Sequence, residues 1–445
     1  MQNDPSNPTA TVSRRQFLKR SSMAAASAAA VVNFPAVLNA QNKEPIRAVI
    51  IGVGGRGSGA GRDFLDASKM LGIDGKIVAV ADMFPEQAQK AVKNFDVPEN
   101  KCFSGFDAYK KVLEEPGVNY VILATPPGFR PFHLQAAVAA GKNIFTEKPV
   151  GVDGPGIRKV LAAYEESKKR GLKVAAGTQR RHRPSYIETV KRIHDGAIGE
   201  IRDLRAYWVN GGPIWHRGDH GETELERQIR NWYHYIWLCG DHICEQHVHN
   251  IDVGNWIAGA HPVKAWGMGA RQQLNGKSGE IWDNFAVEFQ FENGLRMHCY
   301  CGQIKREWSS VSEAVMGATG SAELFDGRNT IKTADGKSWR PPKVAEDNGY
   351  VLEHRDLINA IHHNTNLNEM KQVAESTLTA IMGREAAYSG DGVEWDAILN
   401  SKFAYAPEVL YEDPASMKWG SFRTLKPPMP SEHDILKSPP MVAGA

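Results

Sequence analysis

Residues 46–57 read IRAVIIGVGGRG, an apolar run that passes directly into closely spaced glycines. Such a run is typical of a strand that is buried on both faces of a parallel sheet. Gly52, Gly54 and Gly57 follow the spacing G-x-G-x-x-G. In a dinucleotide-binding loop the first glycine permits a tight turn, the second lets the backbone approach a pyrophosphate, and the third lets helix and strand lie close. The stretch therefore predicts the first strand and phosphate loop of a Rossmann domain.

A second apolar run, residues 76–81, ends at Asp82. A carboxylate at the end of the second strand can accept hydrogen bonds from both hydroxyls of an adenosine ribose. The same charge would repel a 2′-phosphate, so Asp82 favours NAD over NADP as the cofactor. The alternative interpretation is a carboxylate in a surface turn.

Two further apolar runs, residues 120–124 and 143–146, flank a helical pattern at residues 133–141. Alternating strands and helices with Gly and Pro between them predict a doubly wound parallel sheet. Ligands of such sheets bind at the carboxyl ends of the strands. The predicted cofactor-contacting residues all fall there: Gly52, Gly54, Gly55, Arg56, Gly57, Asp82, Thr125, Pro126, Pro127, Glu147 and Lys148.

The second half of the chain reads differently. Alternating, β-branched or aromatic segments predict strands at residues 202–211, 262–270, 284–291 and 295–301, with a hairpin turn at 292–294. A helical pattern at residues 376–389 ends at Gly390, and we expect the Pro-rich tail after Tyr411 to wrap the surface.

The glycine loop, the Ala-Thr-Pro-Pro segment at 124–127, the Glu-Lys-Pro motif at 147–149 and a later His-containing helix resemble the Gfo/Idh/MocA family of sugar and cyclitol oxidoreductases. The resemblance covers about residues 44–390. It implies an α/β fold: an N-terminal Rossmann domain, then an α/β domain with a large, open, mostly antiparallel sheet. We expect a signal at 1–40, the Rossmann domain at 44–175, a substrate and oligomerisation domain at 176–410, and the tail at 411–445.

The resemblance also suggests catalytic residues. Lys148 of the Glu-Lys-Pro motif would orient and polarise a substrate hydroxyl, and Glu147 could be its partner or point away. In the family an Asp and a His four residues apart lie on one helical face, and here they match Glu245 and His249. An imidazole can take a hydroxyl proton because its ordinary pKa lies near neutrality. Glu in place of Asp leaves the role of Glu245 open.

Four potential metal ligands, His242, Glu245, His247 and His249, crowd into eight residues. Three of them could share a helix face, so a metal site is an alternative. Because family members generally work without metal, and sugar sites are rich in such residues, we predict no metal.

Substrate contacts are predicted from two segments. Residues 177–184 resemble the family's strand end after the Rossmann domain, so either Arg180 or Arg181 would contact substrate while the other pairs structurally. Tyr233 and Asp252 complete the predicted substrate-binding set, and Tyr207, Tyr233 or Tyr235 is an alternative base to His249.

Residues 13–19, SRRQFLK, resemble the twin-arginine export motif, and an Ala-rich stretch follows. That stretch is too weakly apolar for a stable membrane span, so we expect a periplasmic or secreted protein. Five scattered cysteines do not suggest a disulfide framework. With 53 Lys and Arg against 51 Asp and Glu, the net charge gives no argument for nucleic acid.

Export bears on function, because little free NAD is available outside the cytoplasm. We therefore expect a tightly held NAD that is regenerated within each cycle. Three alternatives stay open: a sugar oxidoreductase, a redox-neutral glycosidase resembling glycoside hydrolase family 109, and a non-catalytic sugar or nucleotide sensor. We also expect a homo-oligomer, dimer or tetramer, formed through the second sheet, which would otherwise expose apolar side chains.

Overall fold

A six-stranded parallel sheet organises the N-terminal half. The computed structural model describes residues 44–212 and 214–436, so the predicted export signal at 1–40 lies outside the described residues. The strand order is β3-β2-β1-β4-β5-β6, and neighbouring strands pair in parallel. The bounds are β1 Ile46–Ile51, β2 Gly75–Asp82, β3 Cys102–Ser104, β4 Tyr120–Leu123, β5 Asn143–Thr146 and β6 Val174–Ala176.

Helices return the chain between these strands. They are α1 Gly55–Leu71, α2 Pro85–Phe95, α3 Ala108–Leu113, α4 Arg130–Ala139 and α5 Gly154–Lys169. The central strands β1 and β4 are buried on both faces, as their apolar sequences predict. The carboxyl ends of these two strands therefore meet at one edge of the sheet, where a ligand can reach them.

A nine-stranded sheet organises the second half, in the order β14-β13-β12-β11-β7-β10-β9-β8-β15. Its pairings are antiparallel except for β7 with β10. The bounds are β7 Ile201–Val209, β8 Lys264–Ala270, β9 Asn284–Gln290, β10 Arg296–Gly302, β11 Ser310–Gly317, β12 Gly320–Leu324, β13 Thr330–Thr333, β14 Ser338–Trp339 and β15 Val393–Glu394.

The helices of the second half cover one face of this sheet and reach back to the first. Their bounds are α6 Pro184–His194, α7 Glu224–Arg230, α8 Ile236–Cys239, α9 Val248–Ala258, α10 Gly349–His363, α11 Met370–Ser389, α12 Trp395–Asn400 and α13 Glu408–Glu412. Helix α11 is almost wholly buried and packs on β8 and β9. Helix α10 packs on α1, which brings its first turn to the carboxyl edge of the parallel sheet.

The predicted fold class is confirmed: a parallel Rossmann sheet is followed by a mostly antiparallel one. The predicted hairpin joins β9 to β10, and Gly294 takes the left-handed backbone conformation that the turn requires (φ +85°). One expectation needs correction, because the described part of the tail does more than wrap the surface. Leu425 and His433 are buried, and His433 bonds to Glu385 of α11 at 2.9 Å. All five cysteines are free thiols.

Candidate active site

A cavity of about 610 Å³ lies at the carboxyl edge of the parallel sheet and is lined by residues from both halves of the chain. Every residue predicted to contact the cofactor lines it, and so do Lys148, Tyr233, Glu245 and His249. Arg180, Arg181 and Asp252 do not. The structure therefore brings the predicted cofactor and catalytic residues together, while their roles stay predictions.

The glycine loop forms one wall of the cavity. Gly52 has φ +90°, and a Cβ on Gly57 would lie 1.8 Å from the Gly52 carbonyl oxygen, so both positions require glycine. At Gly54 and Gly55, by contrast, a Cβ would meet nothing within 4 Å. The loop backbone thus borders open space at the start of α1, where helix N–H groups attract an anion. This arrangement fits the pyrophosphate of a dinucleotide.

Asp82 closes the rim beyond the loop. Its Oδ2 accepts a hydrogen bond from the Val53 N–H at 2.9 Å, and its Oδ1 accepts one from the Phe84 N–H at 3.0 Å. Burial raises the pKa of this carboxyl. The two bonds fix the carboxylate, and each oxygen keeps a further lone pair for a ligand.

Glu147 turns away from Lys148 and pairs with Arg56, whose Nε lies 2.8 Å from the Glu147 Oε1. Arg56 also pairs with Asp63 at 2.5 Å, and its guanidinium lies 4.9 Å from the ring centroid of Tyr350 on α10. The sequence left open whether Glu147 is the partner of Lys148 or points away from it. In the structure its charge partner is Arg56.

The partner of Lys148 is Glu245. The Lys148 Nζ donates a hydrogen bond to the Glu245 backbone carbonyl and lies 3.4 Å from its Oε1. Burial raises the pKa of the Glu245 carboxyl to about 7, an effect that the nearby positive charges of Lys148 and Arg130 only partly offset. The Glu245 Oε2 has no hydrogen-bond partner among the described residues. The cavity wall thus contains a carboxyl that can gain or lose a proton near neutral pH.

The helix that carries Glu245 is not the uniform α-helix that the sequence predicted. Residues Ile243–His247 form a π-helical turn, and α9 begins at Val248. Such turns frequently lie at functional sites. Both Glu245 and His249 still line the cavity.

His249 packs against Trp208, with ring centroids 5.9 Å apart and planes 26° from parallel. Burial, reinforced by the charges of Lys148 and Arg180, places the pKa of His249 well below its ordinary value. The expectation of a pKa near neutrality is therefore corrected. The imidazole is held neutral, and its Nδ1 has no partner within the described chain.

Of Arg180 and Arg181, one was predicted to contact the substrate and the other to form a structural pair. In the structure both form ion pairs with carboxylates. Arg180 bonds the buried Glu313 at 2.9 Å. Arg181 makes a two-pronged pair with Asp252, at 2.8 and 3.0 Å. A buried guanidinium needs a carboxylate partner, and these residues lie behind the wall of the cavity. The structure places none of these three residues, Asp252 included, in the lining of the cavity, and their contact with substrate stays a prediction.

Tyr233 is buried, lines the cavity and donates a hydrogen bond to the Gln303 Oε1 at 2.7 Å. His242 and His247 are fully buried, and their ring nitrogens have no hydrogen-bond partner among the described residues. Within residues 44–212 and 214–436, no three His, Cys, Asp or Glu side chains are arranged to hold a metal ion.

Several residues that line the cavity were not predicted from the sequence: Phe84, Arg130, Arg217, His220, Arg230 and Tyr350. Arg130 is buried and donates to the backbone carbonyls of Thr125 and Glu147, so it ties together the ends of β4 and β5. The density of Trp, His and Arg at residues 215–220 was an available signal. The sequence contains no such signal for Tyr350, because this residue reaches the cavity only when α10 packs back against α1.

The chain matches two domain profiles of one family. Residues 46–176 match the N-terminal profile, described as an oxidoreductase family with an NAD-binding Rossmann fold, and residues 186–323 match a C-terminal domain of the same family. No helix in the described ranges combines the length and apolarity that a membrane crossing requires.

Similar proteins include an NAD⁺-dependent scyllo-inositol 2-dehydrogenase of Bacillus subtilis, 25% identical over 59% of this chain and 71% of that one. An inositol 2-dehydrogenase/D-chiro-inositol 3-dehydrogenase of Lactiplantibacillus plantarum is 23% identical over 71% and 83%. Among solved structures, levoglucosan dehydrogenase in complex with NADH and levoglucosan shares the fold, with a TM-score of 0.65 and 17% identity over 79% of this chain and 99% of that one. The protein therefore belongs to the Gfo/Idh/MocA oxidoreductase family and has that family's NAD-binding Rossmann fold.

Proposed function

We propose that this protein transfers hydride between a tightly held NAD and a hydroxyl of a sugar or sugar derivative. The observation that carries the proposal is the position of Lys148, Glu245 and His249, which line the same cavity as the glycine loop and Asp82. The inositol dehydrogenases among its relatives act on ring hydroxyls, which supports a substrate of this class.

NAD bound along the glycine loop would supply the hydride acceptor. The Lys148 Nζ has a donor to spare and would orient the substrate hydroxyl oxygen. Two groups could then take the hydroxyl proton: the unpartnered Nδ1 of the neutral His249, or the Glu245 Oε2. The Glu245 carboxyl has the better matched acidity, since its pKa lies near 7.

Tight retention of NAD is supported by segments from outside the parallel sheet that pack on Phe84, close to Asp82 in the lining of the cavity. The Arg230 guanidinium lies 4.1 Å from the ring centroid of Phe84, and its Nη1 bonds Glu86 at 2.9 Å. Trp419 of the tail stacks on the same Phe84 ring, with centroids 5.5 Å apart and planes 23° from parallel. Both contacts would hold Phe84 in place beside a bound cofactor.

We further propose export to the periplasm or beyond by the twin-arginine route, on the strength of residues 13–19. A retained cofactor would let the enzyme function there without a supply of free NAD. Fusing residues 1–40 to a folded reporter, with a matched fusion in which Arg14 and Arg15 are Lys, tests this localisation. Retention of both reporters in the cytoplasm contradicts it.

The outer face of the nine-stranded sheet is the proposed interface of a homo-oligomer. Its exposed side chains include Met268 (72% exposed), Trp308 (59%) and Tyr300 (41%). Light scattering on wild type and on Met268→Glu checks this, and a monomeric wild type would refute it.

The first experiment on the activity is to denature the purified protein and to quantify the NAD(H) and NADP(H) released. We expect about one NAD per chain, followed by a change in absorbance at 340 nm when a substrate sugar is added. Release of a chromogenic aglycone from a glycoside without a second redox partner would point to the redox-neutral glycosidase instead. NAD binding without either reaction would point to the sensor.

A further inference from the structure

Four arginines line the cavity, and one of them differs from the rest. Arg56 pairs with Glu147 and Asp63, Arg230 pairs with Glu86 and Glu226, and the buried Arg130 donates to backbone carbonyls. The Arg217 guanidinium has no hydrogen bond or ion pair with any residue in the described part of the chain.

The loop that carries Arg217 is held in place on both sides. The side chain of the buried Asn231 accepts a hydrogen bond from the Arg217 N–H at 2.8 Å and donates one to the Gly218 carbonyl at 2.7 Å. The His234 Nε2 lies 2.6 Å from the Trp215 carbonyl oxygen. Two buried side chains are therefore committed to fixing the backbone of a short surface segment, which orients whatever that segment presents.

The direction of the Arg217 side chain is also restrained. Its guanidinium lies 4.8 Å from the ring centroid of Trp215, as in a cation–π contact. The Trp215 ring in turn lies 5.7 Å from that of Tyr233, which places this part of the loop on the Tyr233 side of the cavity.

A second side chain that can donate a hydrogen bond lies in the same loop. His220 lines the cavity, and its Nε2 is 3.0 Å from where a Cβ on Gly218 would lie. Gly218 has φ +76°, so glycine both permits the turn and leaves room for the imidazole. Among the described residues no ion pair joins the nearby Asp219 to Arg217; the Asp219 Oδ1 accepts a hydrogen bond from the Ser278 hydroxyl at 3.5 Å and lies 3.8 Å from the His216 Nε2.

The cofactor does not explain an unpaired arginine here, since the glycine loop and the start of α1 already fit its pyrophosphate. We propose that Arg217, supported by His220, is a subsite for an anionic group on the substrate, a carboxylate, sulfate or phosphate. The substrate is accordingly an acidic sugar, with Trp215 as a surface for its ring. This inference rests on the proposed function and specifies its substrate class.

The test measures binding of matched sugars to the NAD-loaded protein by calorimetry. The pairs are D-glucose with D-glucuronate, D-galactose with D-galacturonate, and each neutral sugar with its 6-phosphate and 6-sulfate. We expect at least one acidic sugar to bind about tenfold more tightly than its neutral partner, as one charge-assisted contact allows. Arg217→Ala should abolish that ratio, and Arg217→Lys should restore part of it.

The matched control is Arg328→Ala. Arg328 is exposed, as Arg217 is, and it also lies over an aromatic ring, 4.4 Å from the centroid of Phe325, but it lies outside the cavity. The Arg328→Ala variant should leave the preference for acidic over neutral sugars unchanged. The inference is overturned if no acidic sugar is preferred by the wild type, or if Arg217→Ala leaves the ratio intact and instead lowers the NAD content.

Binding and turnover separate this inference from the proposed function. An acidic sugar that binds through Arg217 without any change at 340 nm would refute the oxidoreductase proposal and keep the subsite. Equal binding and equal oxidation of neutral and acidic sugars would refute the subsite and keep the oxidoreductase proposal.

Discussion

Two buried ion pairs contact the same helical segment, residues 243–258. Lys148 and Glu245 lie at the cavity wall with 3.4 Å between Nζ and Oε1, while Arg180 and Glu313 lie behind it at 2.9 Å. Burial raises the pKa of both carboxyls to about 7. The two carboxyls differ in the number of hydrogen-bond donors that surround them. Glu313 also accepts hydrogen bonds from Asn250 at 2.6 Å and Tyr186 at 3.5 Å, whereas the Glu245 Oε2 accepts none from the described residues.

A shifted pKa therefore does not by itself separate a structural carboxylate from one that can act on a ligand. The feature that separates them is the Glu245 Oε2 at the cavity, which has no hydrogen-bond donor among the described residues. Four substitutions test this difference between the front pair, Lys148 with Glu245, and the rear pair, Arg180 with Glu313.

The largest effect on stability is expected from Arg180→Leu. It leaves the Glu313 carboxyl buried without its charge partner, which should cost about 3–5 kcal/mol of folding free energy. Equilibrium urea unfolding measures the loss, and Arg340→Leu, at an exposed position away from both pairs, is the control. A loss below about 1 kcal/mol would show that the rear pair is not structural.

Lys148→Met should lower kcat/KM for the substrate sugar by about 10²–10³-fold, because under the proposed function it removes the donor that orients the substrate hydroxyl. The NAD content should stay near that of the wild type. Lys76→Met, at a lysine whose side chain is 65% exposed, controls for the loss of a charge. Activity within threefold of wild type would exclude Lys148 from the chemistry.

Glu245→Gln should flatten the dependence of stability on pH. In the folded protein the carboxyl keeps its proton up to about pH 7, whereas in the unfolded chain it loses it near 4.5. The stabilisation is therefore complete below pH 4.5 and is lost as the pH rises to about 7. Between pH 5 and 7.5 the variant should lose less stability than wild type, by an amount on the order of 2–3 kcal/mol.

Glu313→Gln is the matched variant for this measurement, since it removes a carboxyl of similar pKa from the rear pair. Both variants should flatten the stability curve, but only Glu245→Gln should alter the dependence of kcat on pH near 7. Identical rate profiles for the two variants would contradict the distinction.

The smallest effect is expected from Asp82→Asn, at the rim of the cavity. Loss of the charge should weaken NAD binding roughly tenfold and narrow its advantage over NADP. Quantifying both cofactors released on denaturation checks this. A variant that still retains only NAD would show that Asp82 does not select the cofactor.

The carboxyl edge of the Rossmann sheet was predictable because each of its signals is local. Gly57 follows β1 within a few residues, Asp82 is the last residue of β2, and Lys148 lies two residues after the end of β5. The partner of Lys148 was not predictable in this way, since Glu245 lies 97 residues further on and meets it only through tertiary packing.

The π-helical turn at Ile243–His247 was missed because its sequence has no breaker, and the spacing of Glu245 and His249 fits an ordinary helix equally well. The pairing of both Arg180 and Arg181 was missed for a similar reason. Sequence can show that a guanidinium is present, but whether it is buried beside a carboxylate depends on β11 and α9, which arrive much later in the chain.

The stacking of Trp419 on Phe84 has a consequence for biosynthesis. Phe84 leaves the ribosome early and Trp419 near the end of translation, so this contact can form only after nearly the whole chain has been made.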